Sequence, residues 1–382
     1  MKHIYIIIIL SLFVVSCRNV QDKVNINQDG QLVLHFEAQS TATFFSDRIF
    51  GKTEMIPLET LDDCLVGREP VVLLLDQYHY FIQDSQQQIV FRFDRKGKFI
   101  NRIGSRGMGP EEYARIYDVE IDPVANVVEI LAPRGLMMRY GYDGKYLSKQ
   151  NFDASRLSFI KTGTNYWLFT PNQKAGDKCL TKISEDGTVI STFLPSKTDW
   201  MPFLEKNFER CGDMITFREI FSHTVYRITD EGPTESTMID FGKYTIPEHV
   251  YKMPQMDTLN EMEKNDYAMI HKYLENEQFV YLFFYIIPAG LPDNKYGHWL
   301  VNKKNGNSVV QIFSPDNPLY DMDGANSLTV DGAKILTADN KLIFMANAHI
   351  LNDPFFSNAT SIKDSLSEDA NPVIVSLQIN DF

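Results

Sequence analysis

Basic charge is scarce in this 382-residue chain. Its 37 Lys and Arg stand against 50 Asp and Glu, a formal net charge of −13 with a pI near 5.1. That balance excludes a broad phosphate-tracking surface, so nucleic acid is not an expected partner. It also argues against electrostatic docking to anionic lipid headgroups. Cysteine is nearly absent: Cys17, Cys64, Cys179 and Cys211 show neither C-x-x-C nor metal-ligand spacing. Beyond the N-terminus no apolar run reaches bilayer length, and the longest, Phe279 to Pro288, stops at ten residues. Helical periodicity is slight. There is no G-x-S-x-G elbow, no H-E-x-x-H and no Walker lysine. What remains is an ordinary globular composition, 44% hydrophobic and 12% aromatic, able to bury a large core.

The N-terminus carries the address. Lys2 precedes the apolar run Ile4 to Val15, which has signal-peptide proportions and is too short to span a bilayer. Val14-Val15-Ser16-Cys17 then resembles the bacterial lipobox, so residues 1–16 are expected to be removed and Cys17 acylated. Attachment by two or three acyl chains would be firm, because a single chain binds only marginally. Arg18 after the Cys, with no Asp, favours the outer membrane by bacterial sorting rules, in a periplasmic or surface-facing position. Residues 17–47 are polar and weakly patterned, as expected of a lipidated N-terminus and tether that ends in the entry to the fold. One disulfide among Cys64, Cys179 and Cys211 is compatible with such a location, although these thiols read mainly as small buried hydrophobes.

From there the chain consists of short β-type runs bounded by turn residues. One unit recurs. Ile89 to Asp94 leads through Gly97 to Lys98–Ile103, and Leu136 to Tyr140 leads through Asp143-Gly144 to Lys145–Leu147. The same pattern surrounds Asp186-Gly187, Gly232 and Asn305-Gly306. Each unit is a hairpin whose glycine supplies positive φ. The first four glycines are spaced by 43 to 47 residues, the length of one four-stranded propeller blade, and the longer last interval holds an insertion at Tyr244 to Lys272. A final strand, Val373 to Ile379, lacks a following partner, and Glu54 to Glu59 is an unpaired strand at the front. Five hairpins plus one shared between the ends predict an all-β, six-bladed propeller over 48–382, closed by an N-terminal strand.

Asp84 to Ile100, with Gly104-Ser-Arg-Gly107-Met-Gly109-Pro110-Glu111-Glu112-Tyr113, resembles an NHL repeat. More closely it resembles a family of bacterial six-bladed β-propeller lipoproteins. The segment covers thirty residues, and later blades lack the Gly-x-Gly-Pro loop. The resemblance implies a propeller in the cell envelope and no established activity.

The candidate chemistry is sparse. Gly104 to Gly109 precedes the strand Asp118 to Asp122, not a helix, so it reads as a link between blades and not a phosphate cradle. Asp118 and Glu120 either line a central channel, where Ca²⁺ is conceivable, or occupy solvent-facing positions of an alternating strand, the preferred reading. His249, His271, His298 and His349 read as loop histidines without ligand spacing, and no metal or cofactor is assigned. Thr258-Leu-Asn-Glu261 has the pattern of a capping box opening a helix through Ile270. Within a blade the a–b and c–d turns share one face, and the b–c loops and blade-to-blade links share the other. All the long segments fall on the second face, which places candidate contacts at Arg106, Glu112, Tyr113, Tyr251 and Tyr296. The expected function is binding or scaffolding of an envelope protein or glycan. The alternative is an envelope hydrolase or lyase using the central channel.

Overall fold

A computed structural model describes residues 24–36, 43–67, 71–152, 156–171, 177–197, 206–219, 221–287, 295–313, 328–347, 355, 362, 366–367 and 369–382. Six antiparallel sheets follow one another around a ring, and the strand order in each runs from the channel outward. Blade one comprises Val71–Leu75, His79–Asp84, Ile89–Asp94 and Phe99–Ile103, and blade two Asp118–Asp122, Val127–Ala132, Leu136–Gly141 and Tyr146–Asn151. Blade three comprises Ser158–Thr162, Asn165–Phe169, Lys178–Ser184 and Val189–Pro195, and blade four Phe208–Cys211, Met214–Phe217, Thr224–Ile228 and Pro233–Asp240. Blade five comprises Tyr267–Glu275, Phe279–Ile287, Lys295–Asn302 and Ser308–Phe313. Blade six has Ile335–Leu336, Lys341–Ala346 and Val373–Ile379 from the C-terminal part, and its outer strand is Phe50–Pro57. Val373 pairs with Pro57 and Ile379 with Phe50, so the N-terminal strand closes the ring as the sequence predicts.

Each seam between blades has its own apolar cluster, because both faces of every sheet are covered by a neighbour. Phe81, Val128 and Tyr140 fill the first seam, and Leu131, Phe159 and Tyr166 the second. Ile160, Trp167 and Phe217 fill the third, and Ile239, Phe241 and Trp299 the fourth. Phe279, Tyr281 and Phe344 fill the fifth, and Leu58, Tyr80 and Ile374 the sixth. The high aromatic content is spent here. Bulky rings fill wedge-shaped gaps that widen toward the rim.

The turn glycines do more than supply positive φ. A Cβ on Gly97 would lie 2.1 Å from the carbonyl oxygen of Pro57, and one on Gly144 2.7 Å from that of Arg102. Each turn therefore abuts the end of the preceding blade's outer strand, where only glycine fits.

A basic residue stands five positions before the turn glycine in each of the first four blades, and each one crosses to the next blade. Arg92 donates to Tyr142 O at 2.7 Å, and Arg139 to the Tyr166 hydroxyl at 2.8 Å. Lys182 donates to Asp230 O at 2.7 Å, and Arg227 to Glu275 at 3.0 Å. Arg92, Arg139 and Lys182 also lie over the rings of Tyr142, Tyr166 and Trp167. Charged hydrogen bonds of this kind contribute about 1.5–3 kcal/mol each.

Three expectations are corrected. Residues 24–35 do not belong to a tether. Val24–Ile26 and Leu32–His35 form a hairpin, and its second strand pairs in parallel with Thr237–Asp240, extending blade four to six strands. The insertion also ends earlier than the sequence implies, because Tyr267 to Lys272 already lies in blade five. Its helices are Glu248–Tyr251 and Gln255–Met262, the second starting directly after Pro254. Thr258 therefore sits inside the helix, where its buried hydroxyl donates to Val250 O at 2.8 Å, and no capping box forms.

Candidate functional site: the channel and the long-loop face

The inner strands enclose a channel of about 1070 Å³. Gly163, Gly212 and Ala338 mark its short-turn end, and Ser85, Gln86 and Arg115 its long-loop end. Val72, Leu74 and Ile335 supply apolar wall, and charged side chains of the two signs are equal in number, six of each.

Asp118 and Glu120 do line this channel, contrary to the solvent-facing reading, and both are buried. Asp118 is held from all sides. Its Oδ2 accepts from the Ser158 hydroxyl at 2.7 Å and Phe159 N at 2.9 Å, and its Oδ1 accepts from Lys206 Nζ at 3.2 Å. Lys206, at the entry to blade four, also reaches Glu120 at 2.5 Å and Val119 O at 3.1 Å. Burial raises the Glu120 carboxyl above the usual carboxylate range even though Lys206 opposes it. Burial by itself would lower the Lys206 ammonium, yet Asp118 and Glu120 raise it.

The other channel carboxylates are paired in the same manner. Asp122 meets Lys161 at 3.4 Å, Glu129 meets Arg139 at 2.8 Å, Asp331 meets Lys334 at 2.8 Å, and Glu209 meets Lys272. All six lining carboxylates thus have a cationic partner. Arg115 and Arg210 are the lining cations with no carboxylate partner among the described residues. Among those residues no three His, Cys, Asp or Glu side chains gather into a potential metal cage.

The histidines are not loop residues as a group. His271 lies on the inner strand of blade five with its ring facing the cavity, and enclosure with Lys334, Lys272 and Arg218 nearby pushes its imidazolium down to about 3. His298 is buried in a strand, its Nδ1 2.9 Å from the Tyr281 hydroxyl. His249 is exposed on the first insertion helix, and His349 lies outside the described residues. Cys64 and Cys179 are buried, Cys211 is half-buried at the channel wall, and all three are free thiols.

The residues expected on the long-loop face are not gathered into one site. Arg106 is exposed, and its backbone bridges to Tyr113. Glu112 folds back to accept from Gly109 N at 2.8 Å. Tyr113 is only 1% exposed and packs against Tyr140 with ring centroids 6.2 Å apart, so it is a core residue and not a contact. Tyr251, half-buried on the first insertion helix, covers a cluster of Phe221, Val250 and Met262. Tyr296 lies in a strand, not a loop, with its ring stacked parallel to Phe283 at 6.0 Å. Two methionines that no sequence motif marks are exposed here: Met108 in the glycine loop, 92% exposed, and Met256 on the second insertion helix, 65% exposed.

Ring, closure and channel together define a six-bladed β-propeller. The chain belongs to the family described as domain of unknown function DUF4934, whose model matches residues 32–378. No curated protein matches it. It is similar to a Bacteroides fragilis protein with a provisional description as exported, with a TM-score of 0.74 at 15% identity over 91% of this chain and 100% of that one. It is also similar to a member of the DUF4221 family from Bacteroides vulgatus, with a TM-score of 0.55 at 9% identity over 87% of this chain and 97% of that one. At these identities the likeness carries the fold and nothing of activity.

Proposed function

We propose that this protein is an outer-membrane lipoprotein, acylated at Cys17, whose NHL-like propeller binds or scaffolds an envelope protein or glycan through its long-loop face. The observation that carries the binding reading is the pairing of all six channel carboxylates with cations. A hydrolase or lyase that works through a carboxylate needs one free to move a proton or hold Ca²⁺, and here each is held by an ammonium or guanidinium. The envelope location is supported by the lipobox-like N-terminus and by the likeness to a protein with a provisional description as exported. The long-loop face is supported by its elaborated links and by exposed Met108 and Met256, soft side chains suited to an adaptable contact.

Cross-linking mass spectrometry on the lipoprotein from gently solubilised envelopes tests this reading. Adducts are expected at Lys252 and Lys264 in the insertion. Adducts confined to Lys96 and Lys145, beside the short turns, would overturn the face assignment. Cys17→Ala should abolish acylation, since no other thiol follows a lipobox, and continued palmitate incorporation would remove the anchor from the reading. The hydrolase alternative rests on Glu120, whose carboxyl is raised by burial despite its contact with Lys206. It requires an envelope activity that Glu120→Gln destroys and, in its calcium form, one that EDTA removes.

A further inference from the structure

The N-terminal hairpin puts a limit on where the membrane can be. A free tether running from Cys17 to Asp47 would reach about 100 Å and would leave the propeller unoriented. The chain instead joins the fold at Val24, seven residues after Cys17. Extended backbone spans at most about 3.6 Å per residue, so the acylated sulfur lies within about 25 Å of Val24.

Val24 occupies a defined place on the rim. It pairs with Leu34, whose strand is bonded to the outer edge of blade four, and it packs against the cluster between blades four and five. A Cβ built on Gly306, in the outer turn of blade five, would meet the Val24 side chain at 3.9 Å. The C-terminus meets the same turn, where Phe382 O accepts from Asn305 Nδ2 at 2.9 Å and Asn307 Nδ2 at 3.1 Å. The hairpin also presents Ile26, 72% exposed, two residues beyond Val24.

We infer that the rim at the seam between blades four and five is a membrane-docking surface, held against the bilayer by the short link from Cys17. This rests on the acylation proposed above. The occupant is a lipid surface, assigned by the length of the link and its exit point, and no charge attraction is invoked. A disc docked by its rim has its channel axis lying along the bilayer plane. Both channel mouths then open to water, and neither faces lipid.

The test uses the acylated full-length chain in phosphatidylcholine vesicles that carry a headgroup nitroxide lipid. A bimane fluorophore is placed at Lys304→Cys, beside the Gly306 turn, or at Lys145→Cys, beside the Gly144 turn on the opposite rim. The wild-type chain serves as the control for its native thiols. Quenching at position 304 is expected to exceed that at 145 several-fold. A twenty-residue Gly/Ser insertion after Gln21 should bring the two close to equality. Equal quenching in the uninserted chain, or stronger quenching at 145, would overturn the docking surface while leaving acylation intact. A chain that carries no acyl mass and does not bind vesicles would instead overturn the Cys17 reading, and the docking surface with it.

Discussion

His223 packs edge-on against Phe241, and its Nε2 has no partner among the described residues. Burial first, then Arg218 and Lys197, lower its imidazolium to about 4, against a backbone hydrogen bond with Ala268 and the weaker pull of Asp240. The sign follows from linkage. The unfolded chain takes up a proton near pH 6.5 and the folded one does not until near pH 4, so stability present above pH 6.5 is lost as the pH falls through that window. The full effect is about 3 kcal/mol. Thermal melts between pH 7 and pH 4 should show the midpoint falling more steeply for the wild type than for His223→Phe, and parallel curves would refute the assignment. Lys206 shows what the sequence conceals at this scale. Asp118 and Glu120 stood out because a strand with three acids is conspicuous, but the cation that neutralises them lies 86 residues beyond Glu120. Nothing local to either segment links them.

At the scale of elements, the blade strands were largely legible because turn glycines and alternating apolar residues mark them directly. The hairpin at 24–35 was not. Its strands of three and four residues are too short to show alternation, and its parallel partner is about two hundred residues away. The second insertion helix was misplaced because Thr258 and Glu261 have capping-box spacing, whereas Pro254 sets the start. The latches have a sequence signature of their own: Arg92, Arg139, Lys182 and Arg227 all stand five residues before a turn glycine. In blade five the same position is Val301, and there Asn276 donates to Thr337 O at 2.8 Å to join the next blade. The latch between blades two and three is the most enclosed, since Glu129 is 2% exposed. Arg139→Met should destabilise the fold by about 3 kcal/mol, because it strands a buried carboxylate. Adding Glu129→Leu should recover most of that loss in urea unfolding. A double variant less stable than the single one would show that the ion pair itself contributes the stability.

For the whole molecule the decisive contact joins the two ends of the chain. Phe50–Pro57 is the outer strand of a blade whose other three strands come from residues 335–379. Deleting Met55 to Leu58 removes half of that ladder and the buried Leu58, and should lower the melting midpoint by about 10 °C. An unchanged midpoint would mean the ring does not depend on its seal. This arrangement also imposes an order of events on folding. The closing strand is among the first made and its partner among the last, Val373 standing 316 positions after Pro57. The early strand therefore stays bare along its edge until the last blade has formed. An unpaired edge held that long is a template for wrong pairing, including with the same strand of another nascent chain. The interval before the last blade is complete is therefore when this protein most needs a chaperone.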